Sequence, residues 1–301
     1  MPGTRFVFGI DLLPSPPIGG GMSVGSSAPS VLPSGVPCWV ELASVDEAAS
    51  HRFYEGLFGW TFLLSRDPAT RTGRYLIGTR DGVPVGGLYQ AAPDQANAWM
   101  INVSVQNAHA AANWVQRLGG AVTLEPTVLP HRGSILHGIE PSGAPFVLWQ
   151  PPADWAFAAG FPNTFSGADL NTRDGEAADG FFTRLFSYTS LQVGDGRGVD
   201  YVEWRLEQQP VLYRYVMGPE YPPQAPPHWM VYFGVDPARG TDATAGHALM
   251  LGGTVLVEPY DTPWGRIAIL ADPAGAVFSI IDHSRTSEGW GRAEVDDPYD
   301  D

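Results

Sequence analysis

The chain has 301 residues and a formal charge of −15, from 17 basic and 32 acidic side chains. Every basic residue is Arg, which excludes Schiff-base, pyridoxal-phosphate and P-loop lysine chemistry. With no basic cluster in an acidic chain, nucleic acids and anionic membrane surfaces are not expected partners.

Residues 1–36, rich in Pro, Gly and Ser, read as a tail. Its lone Arg5 and an apolar run interrupted by Asp11 make a weak secretion signal, so a cytoplasmic protein is expected. The single cysteine, Cys38, leaves no intrachain disulfide and no cysteine-based zinc site. No apolar run approaches the roughly 18 residues of a membrane span.

VELASVDEAASHRFYEGLFGW (40–60) predicts an alternating strand, a polar turn and a helix. Ser44 and Glu47 have capping-box spacing, Ala49, Phe53 and Leu57 form an apolar stripe, and Gly59 supplies a stop. Next come a strand (WMINVSV), a helix over about 107–118, then LGGAVTLEP (118–126) and IEPSGAPFVLWQ (139–150), which predict short strands separated by turns. A Pro-rich linker covers 153–163.

The pattern then returns. ADLNTRDGEAADGFFTRLFSY (168–188) matches the first segment at an offset of 128, with Ala177, Phe181 and Leu185 as its stripe. WMVYFGV, a helix over about 240–251, LGGTVLVEP (251–259) and ADPAGAVFSIID (271–282) repeat the rest. Residues 284–301, with six acids and two Arg, read as an acidic tail.

The repeating unit is strand–helix–strand–strand–strand, covering 37–93, 98–152, 164–218 and 228–283. One such unit is too small to be stable alone, so two must pair, leaving an apolar concave surface suited to a ligand. The predicted class is α+β, with domains at 37–152 and 164–283; which units pair is left open.

FYEGLFGW, LGGAVTLEP and DPAGAVFSIID at these spacings resemble the vicinal oxygen chelate superfamily, which includes glyoxalase I, bleomycin-resistance proteins and extradiol dioxygenases. The resemblance covers nearly all of 37–283. It implies paired βαβββ modules around a cavity, and in the metal-dependent members a set of ligands on the first and last strands of a module. Those positions are occupied here by Trp39, Met100 and Val147 in one half, and by Gly167, Met230 and Ser279 in the other. None of these is a usual ligand for Fe, Zn, Mn or Ni. No metal and no other cofactor is therefore expected, and neither extradiol cleavage nor glyoxalase chemistry.

Taking strand parity from those positions, the residues expected to face the cavities are Trp39, Glu41, Met100, Asn102, Val147 and Trp149 in the first half. In the second half they are Gly167, Asp169, Met230, Tyr232, Ser279 and Ile281. Of these, Trp39, Met100, Asn102, Trp149, Met230, Tyr232 and Ser279 are candidate substrate-binding residues, suited to a flat aromatic or polycyclic molecule. Glu41 and Asp169, at equivalent positions, are the candidate general acids or bases, because a carboxylate facing an apolar cavity has a raised pKa.

The resulting expectation is a metal-independent small-molecule enzyme of secondary metabolism. It would do acid/base isomerisation, cyclisation or lyase-type chemistry on an aromatic or polyketide-like substrate. The alternatives are an antibiotic-sequestering binding protein and a purely structural member; a homodimer is compatible with each.

Overall fold

The computed structural model describes residues 32–194 and 198–287. The tails expected at 1–36 and 284–301 fall outside the described residues at 1–31 and 288–301. Residues 32–36 dock against the body: the amide of Gly35 donates to the carbonyl of Ser104, and the Tyr188 hydroxyl donates to the carbonyl of Gly35.

The first half runs β1 (Pro37–Ser44), α1 (Glu47–Phe58), β2 (Thr61–Arg66), β3 (Arg74–Arg80) and β4 (Val83–Gln90). It continues with β5 (Ala98–Ser104), α2 (Ala108–Arg117), β6 (Ala121–Leu129), β7 (Gly133–Ile139) and β8 (Pro145–Gln150). The second half repeats the order as β9 (Phe165–Thr172), α3 (Gly175–Phe186), β10 (Thr189–Gln192), β11 (Tyr201–Leu206) and β12 (Gln209–Val216). Then follow β13 (His228–Gly234), α4 (Gly240–Met250), β14 (Thr254–Thr262), β15 (Gly265–Ala271) and β16 (Val277–Asp282).

Each half is one eight-stranded sheet, in the orders β2-β3-β4-β1-β5-β8-β7-β6 and β10-β11-β12-β9-β13-β16-β15-β14. The pairing left open by the sequence is thus settled. Modules pair within a half, through the antiparallel contacts β1–β5 and β9–β13.

The start of α1 differs from expectation. Asp46, not Ser44, caps the helix, accepting from the amide of Ala49 at 2.9 Å. The Ser44 hydroxyl instead lies 2.7 Å from that of Ser50, inside the structure. A cap two residues later advances the buried stripe, which holds Ser50, Phe53, Tyr54, Leu57 and Phe58 and leaves Ala49 only half-buried. Gly59 ends the helix in the left-handed region at φ 69°, as expected, while Ser187 takes that role after α3.

The halves meet through the backs of their sheets. Phe53 and Tyr54 of α1 meet Phe278 of β16 at ring separations of 6.1 and 5.6 Å, and Trp99 of β5 meets Phe233 of β13 at 5.0 Å. Reciprocally, Phe181 and Phe182 of α3 pack on Phe146 of β8. Glycines permit the approach: a Cβ at Gly253 would sit 2.8 Å from the Phe53 ring, and one at Gly120 would sit 3.0 Å from Phe181. The partners in this seam have the opposite strand parity to Glu41 and Asp169, so both carboxylates lie on the other, concave faces.

Candidate functional site

On the concave face of the second half, Asp169 sits on β9 between Tyr213 of β12 and Met230 of β13. It is 6% exposed. Tyr201 donates to its Oδ1 at 3.0 Å and Tyr232 to its Oδ2 at 2.7 Å. Burial drives the pKa of Asp169 from 3.8 up to about 6, against the lowering effect of the two hydroxyls. Burial, with the Asp169 charge beside them, also pushes both phenols well above their usual value, so they remain protonated donors. Among the described residues no cation contributes to holding this carboxylate.

Around it are rings with polar tips. Tyr221 donates to Asn171 Oδ1 at 3.3 Å, and Trp264, at the tip of the β14–β15 hairpin, lies 4.8 Å from the Tyr201 ring. Tyr215, Tyr221, Tyr232, Tyr260 and Trp264 are all half-buried, so the lining is reachable from outside. A Cβ on Gly167 would meet only the edge of Tyr213, at 3.9 Å, which leaves space beside the carboxylate.

The first half has the same strands and a different charge pattern. Glu41, 7% exposed, accepts from the Tyr75 hydroxyl at 2.7 Å, and Tyr75 in turn accepts from Trp39 Nε1 at 2.7 Å. The Arg132 guanidinium lies 4.0 Å above the Tyr75 ring and pairs with buried Asp67. Arg132 and Trp264 are equivalent in the repeat, each preceding the glycine that opens the next strand. A cation therefore stands in one half where an indole stands in the other. The linker fills the rest of this face: Trp155 packs edge-on to Trp39 at 4.9 Å and to Trp149 at 4.6 Å, and its Nε1 donates to the carbonyl of Cys38.

The nine candidate residues thus have distinct settings. Asp169, Met230, Tyr232 and Ser279 come together on one face, where Tyr232 is paired with Ser279 in register. Glu41 and Met100 are paired in register on the other, as are Trp39 and Asn102, but Trp39 and Trp149 are at most 1% exposed and in contact with the chain's own linker. Tyr75, Arg132 and Asp67 in the first half, and Tyr201, Tyr221, Asn171 and Trp264 in the second, were not foreseen. The alternation in Tyr213-Arg214-Tyr215, and of Tyr201 with Glu203, was the available signal for the second group.

Metal-dependent relatives would hold an ion on this face, through side chains at the corresponding positions. The rows that cross the ligand positions are Trp39–Asn102–Val147 and Gly167–Tyr232–Ser279. An amide or a phenol with a hydroxyl does not form the imidazole and carboxylate set that divalent transition ions require. Among the described residues no group of three or more His, Cys, Asp or Glu is placed to hold a metal. The residues do not fit the ion.

Paired βαβββ modules, two to each eight-stranded sheet, define the class: the chain belongs to the vicinal oxygen chelate superfamily of glyoxalase- and dioxygenase-like proteins. It is 33% identical over 264 residues to the anthracycline biosynthesis protein DauV of Streptomyces sp. strain C5, covering 82% of this chain and 93% of the relative. To the anthracycline biosynthesis protein DnrV of Streptomyces peucetius it is 32% identical over the same shares. The Mn(II)-bound glyoxalase from Novosphingobium aromaticivorans superposes with a TM-score of 0.59 at 17% identity, over 87% of this chain and 92% of that one, which speaks to fold alone. No family model matches the chain. Among the described residues no helix is long and apolar enough to cross a membrane.

Proposed function

We propose that the chain is a metal-independent enzyme of secondary metabolism, whose second half binds an aromatic, polyketide-like molecule and moves a proton through Asp169. The observation that carries this reading is a buried carboxylate, held by two phenol donors with no compensating cation among the described residues, on a face lined by half-exposed rings. Two relatives named for anthracycline biosynthesis point to the same substrate class.

With a pKa of about 6, Asp169 is mostly ionised at neutral pH yet close enough to it to return a proton. Tyr201 and Tyr232 hold both oxygens, so the carboxylate keeps one orientation while the substrate lies against the rings. The carboxylate takes a proton from an acidic carbon or phenol of the substrate, and its conjugate acid then delivers a proton to another position. That cycle serves isomerisation, cyclisation or elimination equally, and it draws only on groups present on this face. In this reading Glu41, tied to Tyr75 beside Arg132, serves the scaffold and Asp169 the reaction.

Solvent exchange tests the reading without a known product. Aromatic ketones and phenols are incubated with the protein in deuterated water, and deuterium uptake is followed by mass spectrometry. The wild type should exchange carbon-bound protons of a bound compound, and Asp169→Asn should cut the rate by about 100-fold or more. Equal rates in the two proteins would refute the acid/base role. Binding with no exchange in either protein would instead favour a sequestering protein, a role the aromatic lining alone could serve.

A further inference from the structure

Two polar groups flank Asp169 and have no partner of their own. Asn171 Nδ2 and Ser279 Oγ find no hydrogen-bond partner among the described residues, and both side chains are buried, Asn171 at 3% exposure and Ser279 at 0%. Leaving such groups unpaired costs stability, so their retention calls for a reason. Both have the strand parity of the concave face. Asn171 is two residues from Asp169 on β9, and its other amide atom already accepts from Tyr221. Ser279 lies on β16, two strands away, in the row of Gly167 and Tyr232.

The register sets their separation. Asn171 and Ser279 differ by four residues along the strands and two strands across, which is ~16 Å on a flat sheet and less once the sheet curves inward. A single ring carrying two hydroxyls is too short to reach both. A fused-ring system with oxygens at its two ends is long enough, and it would pass over Met230 on the intervening strand, with Asp169 on the strand beside it.

We infer that Asn171 and Ser279 measure the substrate: the face selects a fused-ring aromatic, oxygenated at both ends, with Asn171 donating to one oxygen and Ser279 bonding the other. Gly167, in the row of Ser279, leaves room for such a ligand beside Asp169, because a Cβ there would meet only the Tyr213 ring, at 3.9 Å. The inference rests on the second half being the ligand face, and it adds to that reading the length and oxygen pattern of the ligand.

The test measures binding of a dihydroxyanthraquinone and of catechol by quenching of tryptophan fluorescence, in the full chain and in Ser279→Ala and Asn171→Leu. The quinone should bind at least about tenfold more tightly than catechol, and each substitution should weaken the quinone by about three- to tenfold while leaving catechol unchanged. Ser279→Ala gives the cleaner readout. Its hydroxyl bonds nothing in the free protein, so its melting temperature should be unchanged or higher even as affinity falls. Equal affinity for the two compounds, or quinone binding unmoved by both substitutions, would overturn the inference. A loss of Tm in Ser279→Ala would assign the hydroxyl to structure and overturn it too. Failure of the acid/base reading looks different: exchange would be absent or independent of Asp169 while the length-dependent binding persisted.

Discussion

Replacing Asp169 with Asn should make the protein more stable at neutral pH, and the gain should fade in acid. The difference between the unfolded value of 3.8 and about 6 in the folded chain corresponds to about 3 kcal/mol at neutral pH. An acid whose folded value is raised opposes folding wherever it is ionised. The penalty is full above about pH 6 and falls away towards pH 4, because the folded chain binds the proton first. Asn removes the charge but offers one carbonyl to two phenols, so either Tyr201 or Tyr232 loses its acceptor, at a cost of about 1–2 kcal/mol. The net gain at pH 7 is then about 1–2 kcal/mol, a rise of roughly 2–6 °C in a chain of this size. Between pH 7 and pH 5 the wild type recovers about 1 kcal/mol, and the gap should close by that much. Thermal melts of both proteins at the two pH values measure it. A variant less stable at pH 7, or a gap that does not change with pH, would show that the carboxylate is not held against its own desolvation.

Two further substitutions probe the first half. Gly87→Ala would place a Cβ 1.9 Å from the Tyr75 hydroxyl, so Tyr75 must leave both Glu41 and Trp39; a loss of about 2–4 kcal/mol by urea unfolding is expected. Arg132→Met keeps much of the volume but removes the guanidinium that pairs with buried Asp67 and lies near Glu41. It should cost about 3 kcal/mol, measured by urea unfolding at neutral pH. Its far-ultraviolet circular dichroism should be unchanged, since the residue sits at a hairpin tip.

The modules were readable because their signals are local. Strand alternation has a period of two, so one correct assignment on β1 or β9 fixes the facing of Glu41 or Asp169. The cap of α1 was misplaced because Ser44, Asp46 and Glu47 all have capping chemistry, and the choice between Ser44 and Asp46 depends on Ser44 bonding Ser50, which lies against Asp272 of the other half. The two settings of the carboxylates were harder to see. Tyr201 is 32 residues from Asp169 and Arg132 is 57 from Tyr75, so only the assembled sheets bring them together. Trp155 lay in a segment read as a linker, and nothing in a Pro-rich stretch announces that it will lie against Trp39.

The exchange of Arg132 for Trp264 at equivalent hairpin tips bears on how the two halves diverged. In a chain built from duplicated units, a carboxylate on an inner strand begins with the same prospects in each copy. A cation at the neighbouring turn gives the first copy's carboxylate a charged neighbour, while the second copy has an indole there. The two turns differ in length as well as in charge, so the surroundings of the two carboxylates diverged at a loop that the sheets themselves do not constrain.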